Sequence, residues 1–317
     1  MRILVTGGAG FIASHVADRY IELGHEVAIL DDLSRGLRRN LNPRARFYQG
    51  DVQDRELVGE VFAEFKPEAV NHHAAQMDVR RGVREPIFDA RVNILGSLNL
   101  LEQSVAHKTD RFIHISTAGA AYGEPRHLPV PEDAPLNPIT PYGVSKHTPE
   151  HYLFTFSYLY GIKYVVLRYG NVYGPRQSSQ GEAGVFAIFS EQLLNDIQPV
   201  IYGDGSKTRD YVYIDDVVQA NAAALERGDG EIFNIASGVA TSDLEVFSVV
   251  SECLEKANFK PRFVAVRPGE IQHICLDISK AKRLLNWQPR VALCEGARRT
   301  AAFFRRAAEL VETSLRE

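Results

Sequence analysis

Residues 2–13 read Arg2-Ile3-Leu4-Val5-Thr6-Gly7-Gly8-Ala9-Gly10-Phe11-Ile12-Ala13, an apolar run that ends in a glycine-rich turn. Arg2 to Thr6 has the character of a β-strand, and His15 to Leu23 carries apolar residues at helical spacing. Glycines in such a turn permit close approach to a pyrophosphate, which the free N–H groups and the dipole of the following helix favour. This order of strand, glycine turn and helix predicts a dinucleotide-binding unit, although glycine-rich turns also occur for purely structural reasons.

An acidic residue follows the second predicted strand. Glu26 to Leu30 ends on Asp31, 24 residues after Gly7. A carboxylate at this place is expected to bond the ribose 2′-OH of the dinucleotide, and its charge repels a 2′-phosphate. The sequence therefore favours NAD over NADP, with the nearby Arg35, Arg38 and Arg39 as the feature that speaks against it.

Strand-like and helix-like segments alternate through the first half of the chain. The further predicted strands are Arg46 to Gln49, Ala69 to His73, Arg111 to Ser116 and Tyr164 to Tyr169, and the helices are Arg55 to Phe65, Pro86 to Ala106 and Tyr142 to Tyr160. Such alternation predicts an α/β fold with a doubly wound parallel sheet, the Rossmann type. Beyond Gly170 the pattern loosens, as expected of a smaller C-terminal substrate domain. We expect residues 1–169 with 210–236 to form the dinucleotide-binding domain and 170–209 with 237–317 the second domain.

Composition excludes several other classes of protein. The 317 residues carry a formal charge of −4, which gives no basic footprint for nucleic acid or an anionic membrane. No apolar run approaches the length of a membrane span. The first strand begins at Arg2, which leaves no room for a signal peptide, so we expect a cytoplasmic protein. Three cysteines, Cys253, Cys275 and Cys294, lack the spacing of zinc ligands, and we expect no metal.

Tyr142-Gly143-Val144-Ser145-Lys146 is the second informative segment. On a helix the four-residue spacing places the phenol and the ammonium on one face. A neighbouring cation lowers the pKa of a phenol, which would let Tyr142 accept and return a proton near neutral pH. The alternative is a surface tyrosine and lysine on an amphipathic helix. Pro149, just past Lys146, should kink or end that helix because it removes a backbone donor.

Polar and small residues follow successive predicted strands. They are Asp51, the segment His73-Ala74-Ala75-Gln76 and the pair Ser116-Thr117. Each has a structural explanation, as a helix cap, a small packing residue or a turn residue. Because strand ends build the ligand crevice of an open α/β sheet, their recurrence predicts a cleft that binds the cofactor.

Motifs along nearly the whole chain match one family. They are Thr-Gly-Gly-Ala-Gly-Phe-Ile at 6–12, Ala-Ala-Gln at 74–76, Tyr142 with Lys146, Leu-Arg-Tyr-Gly-Asn-Val-Tyr-Gly-Pro-Arg at 167–176, Tyr-Gly-Asp-Gly at 202–205, Arg-Asp-Tyr-Val at 209–212 and Arg-Pro-Gly-Glu at 267–270. With these motifs the chain resembles the extended short-chain dehydrogenases/reductases, most closely the UDP-glucose 4-epimerases.

The resemblance implies a role for each matching residue. Tyr142 would be the base and acid, Lys146 would lower its pKa and hold the nicotinamide ribose, and Thr117 would hydrogen-bond the sugar O4. The residues around NAD would be Gly7, Gly10, Phe11, Ile12, Asp31, Asp32, Ser34, Arg35, Gly36, Asp51, Val52, His73, Ala74, Ala75, Gln76, Asn93, Ser116, Tyr142, Lys146 and Tyr169. The residues around the UDP-sugar would be Thr117, Tyr142, Asn171, Gly184, Val185, Tyr202, Arg209, Tyr211, Arg267 and Glu270.

The chain departs from the family pattern in a few places. Ala13 replaces the third glycine of the turn, an allowed variant. Ala118-Gly119 follows Thr117, where related dehydratases carry an Asp-Glu pair for elimination. Glu270 stands where Asp is usual, so contacts at the ribose or phosphate end can shift. Ile274 falls where the family gates the C2 substituent, and its medium size excludes neither a hydroxyl nor an acetamido group.

The resemblance implies NAD-dependent epimerisation at C4 of a UDP-hexose, UDP-glucose and UDP-galactose first, through a transient 4-keto sugar. Alternatives with the same fold are a nucleotide-sugar dehydratase and a UDP-glucuronate decarboxylase or 4-epimerase. A non-catalytic NAD(H)-responsive regulator would need no Tyr142, Lys146 and Thr117 together. Two apolar stripes could pair into a homodimer four-helix bundle or face only the sheet: Leu95, Leu98 and Leu101, and Leu153, Phe156 and Tyr160.

Overall fold

The computed structural model describes residues 1–179, 184–267 and 270–314, with side chains up to residue 309. Within these ranges the strands are β1 Arg2–Thr6, β2 Glu26–Asp31, β3 Arg46–Gln49, β4 Ala69–His72, β5 Arg111–Thr117, β6 Lys163–Tyr169, β7 Asn171–Tyr173, β8 Val200–Tyr202, β9 Thr208–Tyr213, β10 Glu231–Ile235, β11 Ala240–Ser242 and β12 Arg262–Val264.

The α-helices of the same ranges are α1 Phe11–Glu22, α2 Arg55–Phe65, α3 Val79–Arg84, α4 Pro86–Ala90, α5 Gly96–Ala106, α6 Gly119–Tyr122, α7 Pro141–Tyr160, α8 Val185–Leu194, α9 Ile214–Ala224, α10 Asp243–Cys253 and α11 Leu293–Ser314. A 3₁₀ turn spans Arg38–Asn40, and π-helical turns span Arg91–Leu95 and Ala281–Leu285.

Seven strands form the central sheet, in the order β10-β6-β5-β4-β1-β2-β3, and every pair is parallel. The chain runs outward from β1 in one direction to β3 and in the other through β4 to β6. This reversal between β1 and β4 opens a crevice at the carboxyl edge of the sheet. The predicted doubly wound α/β fold is confirmed.

The sheet is covered on both faces, which is why its strands are almost continuously apolar. Successive side chains of β1 point to opposite faces. Ile3 and Val5 join one hydrophobic cluster together with Val16 and Tyr20 of α1. Leu4 joins the other cluster, together with residues of α2 and with Leu153 of α7. The helix after the glycine turn and the helix of the Tyr-x-x-x-Lys motif therefore lie on opposite faces of the sheet.

The remaining strands build two small sheets beside the main one. A three-stranded sheet has the order β11-β9-β7, and β8 pairs with β12. β9 runs from Thr208 to Tyr213 and crosses the boundary expected between residues 209 and 210. β10 belongs to the main sheet. The division of the chain into two domains stays a prediction.

Most predicted elements agree with the structure to within one or two residues. One difference is α1, which begins at Phe11 rather than His15 because the glycine turn is already complete at Gly10. The segment 86–106 is interrupted by the π-helical turn at Arg91–Leu95.

Pro149 does not end α7, so that part of the expectation is wrong. The helix runs through Pro149 to Tyr160, and Pro149 itself is buried. Both ends of the helix are satisfied. Thr140 accepts a hydrogen bond from the Gly143 N–H at 3.2 Å, and Gly161, at φ 74°, donates to the Ser157 carbonyl at 2.8 Å.

Candidate active site

The glycine turn brings β1 against the end of β4. Gly7 has φ 70°, and a Cβ built there would lie 2.8 Å from the Ala74 nitrogen. Only glycine fits this left-handed position without strain. The next helix, α1, begins after Gly10 with no side-chain cap and no acidic residue in its first turn. Phe11, Ile12 and the residues after them thus begin a helix whose N–H groups and dipole suit the pyrophosphate of a dinucleotide.

Asp31 lies at the end of β2, beside this turn. Its Oδ2 accepts a hydrogen bond from the Ala9 N–H at 2.9 Å, and its Oδ1 accepts one from the Leu33 N–H at 2.8 Å. Burial raises the pKa of Asp31, and the two backbone donors act in the opposite direction. Each carboxylate oxygen can still accept a further bond. Gly36 leaves this room, because a Cβ there would lie 2.8 Å from Oδ1.

The other predicted cofactor residues of this side lie on the loops after β2 and β3. Asp32 accepts hydrogen bonds from the N–H and the hydroxyl of Ser34, at 2.9 and 2.7 Å. Arg35 lies 3.9 Å from the Asp78 carboxylate. Asp51 accepts from the Gln53 N–H at 2.9 Å, and the buried Val52 follows it. These contacts shape the loops, and the binding roles of the side chains stay predictions.

The acid/base residues meet at the end of β5. Thr117 is its last residue, and Tyr142 is in the first turn of α7. The Thr117 hydroxyl acts on the Tyr142 phenol. Lys146 follows one turn later on α7 and is 5% exposed. Tyr142 and Lys146 thus lie one turn apart on α7, with Thr117 beside Tyr142, and their acid/base roles stay predictions.

Lys146 is not among the groups that shift the pKa of Tyr142, so its expected effect stays a prediction. Desolvation, and to a smaller degree the Asp89 carboxylate, raise the pKa of Tyr142 to about 12, and the Thr117 hydroxyl acts in the opposite direction. Desolvation likewise lowers the pKa of Lys146 to about 8, against the charges of Glu150 and Asp89. Both effects have one physical cause, because a site poor in water favours the neutral form of each group.

Three buried histidines interact electrostatically with Lys146. Burial lowers the pKa of His73 to about 3 and lowers the pKa values of His72 and His114 well below their usual range. All three are therefore neutral at pH 7. His73 Nε2 lies 3.4 Å from the hydroxyl of Tyr169, and the buried His73 Nδ1 has no hydrogen-bond partner.

A buried ion pair holds α7 on the sheet. The Arg168 guanidinium of β6 lies 2.6 Å from the Glu150 carboxylate, and both side chains are about 4% exposed or less. Ser116 donates to Glu150 at 2.5 Å, and Arg168 donates to the Tyr122 hydroxyl at 2.9 Å. Sequence reasoning missed this pair. Arg168 lay inside a quoted motif, but nothing local marked Glu150.

The residues expected around the UDP-sugar gather on the smaller sheets. The Arg267 guanidinium stacks over the Tyr202 ring at 3.5 Å and lies 3.7 Å from Glu270. Lys207, which was not predicted, lies 2.9 Å from Glu270. Arg209 donates to the Thr208 carbonyl at 2.8 Å. Pro268 and Gly269, inside the last matched motif, lie outside the described residues.

The other predicted substrate residues differ in exposure. Asn171 is exposed, and Gly184 with Val185 begins α8. Tyr211 is 4% exposed, with its ring packed edge-on against Phe186, and Ile274 is 3% exposed. Their contacts with substrate stay predictions.

The two positions after Thr117 carry no acid or base. Ala118 is buried, and a Cβ built on Gly119 would meet no atom within 4 Å. Elimination from a sugar requires one group to remove a proton and another to protonate the leaving oxygen. Alanine and glycine offer neither.

Comparison with known proteins agrees with this geometry. The profile of the NAD dependent epimerase/dehydratase family matches residues 3–236. The chain belongs to this family. Among solved structures, a UDP-glucose 4-epimerase from Thermotoga maritima, crystallised with UDP-glucose, is 47% identical, with a TM-score of 0.94 over 97% of this chain and 100% of that one. A UDP-glucose 4-epimerase from Thermus thermophilus, in complex with NAD, is 42% identical, with a TM-score of 0.91 over 96% and 99% of the two chains.

The family also contains proteins with a different activity. A dTDP-glucose 4,6-dehydratase from Streptomyces venezuelae is 31% identical, with a TM-score of 0.90 over 98% of each chain. The fold and the cofactor are shared, so they do not distinguish epimerase activity from dehydratase activity. The distinction depends on the side chains around Tyr142.

No described helix is both long and apolar enough to cross a membrane. No cluster of three or more potential metal ligands occurs among the described residues.

Proposed function

We propose that this family member is an NAD-dependent 4-epimerase of UDP-hexoses, with UDP-glucose and UDP-galactose as the first substrate pair. The observation that carries the proposal is the placement of Thr117 at the end of β5 beside Tyr142, with Lys146 one turn later on α7 and with Ala118 and Gly119 where a dehydratase needs acid and base. The identities of 42–47% to UDP-glucose 4-epimerases support it.

The cleft fits NAD. Gly7 leaves room where β1 and β4 end, because a side chain there would clash with Ala74. The start of α1, which has no side-chain cap, faces the same edge of the sheet. The Asp31 carboxylate can accept a further hydrogen bond from a ribose hydroxyl. The residues that would hold NAD are those expected from the sequence, from Gly7 and Asp31 to Lys146 and Tyr169. Bound NAD supplies reversible hydride transfer at C4 of the sugar, with no net redox change.

The protein's own residues manage the proton at O4. Tyr142 accepts this proton in one half of the cycle and returns it in the other, while Thr117 hydrogen-bonds to the same oxygen. A phenol with a pKa of about 12 is protonated at neutral pH and is ready to donate. Positive charge in the occupied cleft lowers this pKa and favours acceptance. Enclosure of the site keeps a 4-keto sugar from escaping.

For the UDP moiety we propose a site on the smaller sheets. Arg209 and Arg267 suit a diphosphate, and the Tyr202 ring suits the face of uracil. Arg267 already covers one face of that ring, so the other face is the one available to a base. Parallel assays of UDP-glucose, UDP-N-acetylglucosamine and UDP-glucuronate decide the sugar that Ile274 and its neighbours accept.

We also propose a homodimer built on the segment 86–106 and on α7. Leu101 and Leu153 of the two apolar stripes are fully buried against the sheet, so only part of each stripe can meet a second subunit. Other apolar side chains of this face remain open in the single chain: Ile87 69%, Leu95 56%, Phe154 64% and Tyr158 82% exposed. An exposed apolar face of this kind marks an interface.

Turnover in D2O tests the reaction type. Because C4 keeps its own hydrogen during epimerisation by hydride transfer, the C4 epimer should form with no deuterium on carbon. No water or CO2 should be lost, and the NAD+ should be unchanged at the end. Nuclear magnetic resonance and mass spectrometry of the product measure all of these. Deuterium at C5, or a stable 4-keto product, would return the chain to the dehydratase or decarboxylase branch of the fold.

Cofactor identity gives a second test. Protein purified without added cofactor should release NAD(H) on denaturation, with little NADP(H), because the Asp31 carboxylate repels a 2′-phosphate. Chromatography of the released nucleotide measures the ratio. Mostly NADP(H) would contradict the role of Asp31, and an empty protein would contradict retention of the cofactor through the cycle.

A further inference from the structure

Asp89 is a buried carboxylate that none of the sequence motifs contains. It lies in α4 and is 1% exposed. Its Oδ1 accepts a hydrogen bond from the Gln76 side-chain amide at 2.7 Å, and its Oδ2 accepts one from the Ser145 hydroxyl. Both donors are neutral, so these two bonds do not cancel the charge. Burying a charge in this way costs free energy unless the charge is paired and hydrogen-bonded.

The partners of Asp89 lead directly to the acid/base pair. Ser145 lies between Tyr142 and Lys146 on α7. Asn93 donates to the Ser145 hydroxyl at 2.9 Å and to the Gln76 carbonyl at 3.0 Å, and it accepts from the Gln76 N–H at 2.8 Å. The network therefore joins the loop after β4, the π-helical turn and the first turns of α7.

The first turn of α7 also contacts α3 at this point. A Cβ built on Gly82 would lie 2.9 Å from Asp89 Oδ1 and 3.5 Å from the Tyr142 nitrogen. No side chain can separate α3 from the carboxylate there. Asp89 thus sits in the corner where α3, α4 and α7 meet.

The charged and titratable groups near Lys146 come from every element packed against it. They are His72 and His73 from the β4 edge, His114 of β5, Glu150 of α7 and Asp89 of α4. The histidines are neutral at pH 7, and the Glu150 charge is matched by Arg168. Tyr142 is influenced by Asp89 and Thr117. Of the charged groups named here, only Asp89 acts on both Tyr142 and Lys146. Its described contacts include no guanidinium.

We propose that Asp89 is a positioning residue for Tyr142 and Lys146, which fixes the first turn of α7 through Ser145 and places a negative charge beside that turn. This inference rests on the proposed function. The Asp89 carboxylate raises the pKa of Tyr142 and that of Lys146, which agrees with the geometry. Loss of the charge should lower both pKa values, so both limbs of a bell-shaped pH–rate profile should move to lower pH.

Asp89→Asn tests this, since it keeps the size of the side chain and removes the charge. Both limbs of the kcat profile should move down by about one pH unit. The matched control is Ser145→Ala, which removes the hydrogen bond and keeps the charge. It should lower kcat with both limbs in place. A lowered kcat with unmoved limbs in Asp89→Asn would overturn the proposal and leave Asp89 a structural residue. If Asp89→Asn does not fold, Asp89→Ser is neutral and is judged by the same criterion.

A second measurement is independent of turnover. The absorbance change at alkaline pH is measured for Asp89→Asn and for Asp89→Asn/Tyr142→Phe, and the difference between the two isolates the Tyr142 phenolate. This phenolate should form at lower pH than the one isolated in the same way from the native protein and Tyr142→Phe. An equal or higher pH would contradict the proposal. A native protein that does not epimerise refutes the proposed function alone, since this absorbance test still decides the role of Asp89.

Discussion

Replacing Tyr142 with phenylalanine should lower kcat by about 10²–10⁴-fold, the usual contribution of a positioned acid/base group. The ring and its packing remain, while the transferable proton is lost. Affinity for UDP should stay nearly unchanged, because the residues proposed for the nucleotide lie on β8, β9 and the segment before Glu270. Steady-state kinetics and calorimetric titration with UDP measure the two quantities.

Thr117→Val is the matched comparison for this variant. It removes the hydroxyl beside Tyr142 and keeps the branched shape, so turnover should slow by a smaller factor. Near-normal turnover in Tyr142→Phe would refute the assignment. A parallel loss of UDP affinity would point to a structural defect in α7.

The second large effect concerns stability. Arg168→Met should lower the free energy of unfolding by about 3–5 kcal/mol, because it leaves the Glu150 carboxylate buried without its partner. Both side chains are almost completely enclosed, and Arg168 also donates to the Tyr122 hydroxyl and the Glu132 carbonyl. Urea denaturation followed by circular dichroism measures the change as a shift in midpoint at constant slope.

The double variant Arg168→Met/Glu150→Leu is the control. Removing both charges avoids the unpaired carboxylate, so it should recover most of the loss. If the double variant is as unstable as the single one, packing or the bonds to Tyr122 dominate. If Arg168→Met lowers the free energy of unfolding by less than about 1 kcal/mol, the pair stabilises the fold no more than an ion pair on a protein surface does.

Local signals explain what the sequence predicts well. A few adjacent residues determine the strand before Gly7, the glycine turn itself and the acidic residue at the end of β2. The structure contains all three features. The spacing of Tyr142 and Lys146 defines one face of a helix in the same way. Such features hold in any tertiary context that keeps the helix and the strand.

The features that could not be predicted depend on contacts between distant segments. Asp89 and Ser145 are 56 residues apart, and no periodicity links them. The direction of the Tyr142 pKa depends on how much water the fold excludes, which the four-residue spacing does not contain. Pro149 is tolerated because α7 packs on the sheet and is satisfied at both ends, so tertiary structure outweighs a local preference.

The sheet divides the functional helices between two separate hydrophobic clusters, with α1 on one face and α7 on the other. Substitutions far apart and without shared partners have nearly additive effects on stability. Substitutions beneath α1 and beneath α7 that share no contacts should therefore change the free energy of unfolding nearly additively. Stabilising changes in the two layers can then be found separately and combined.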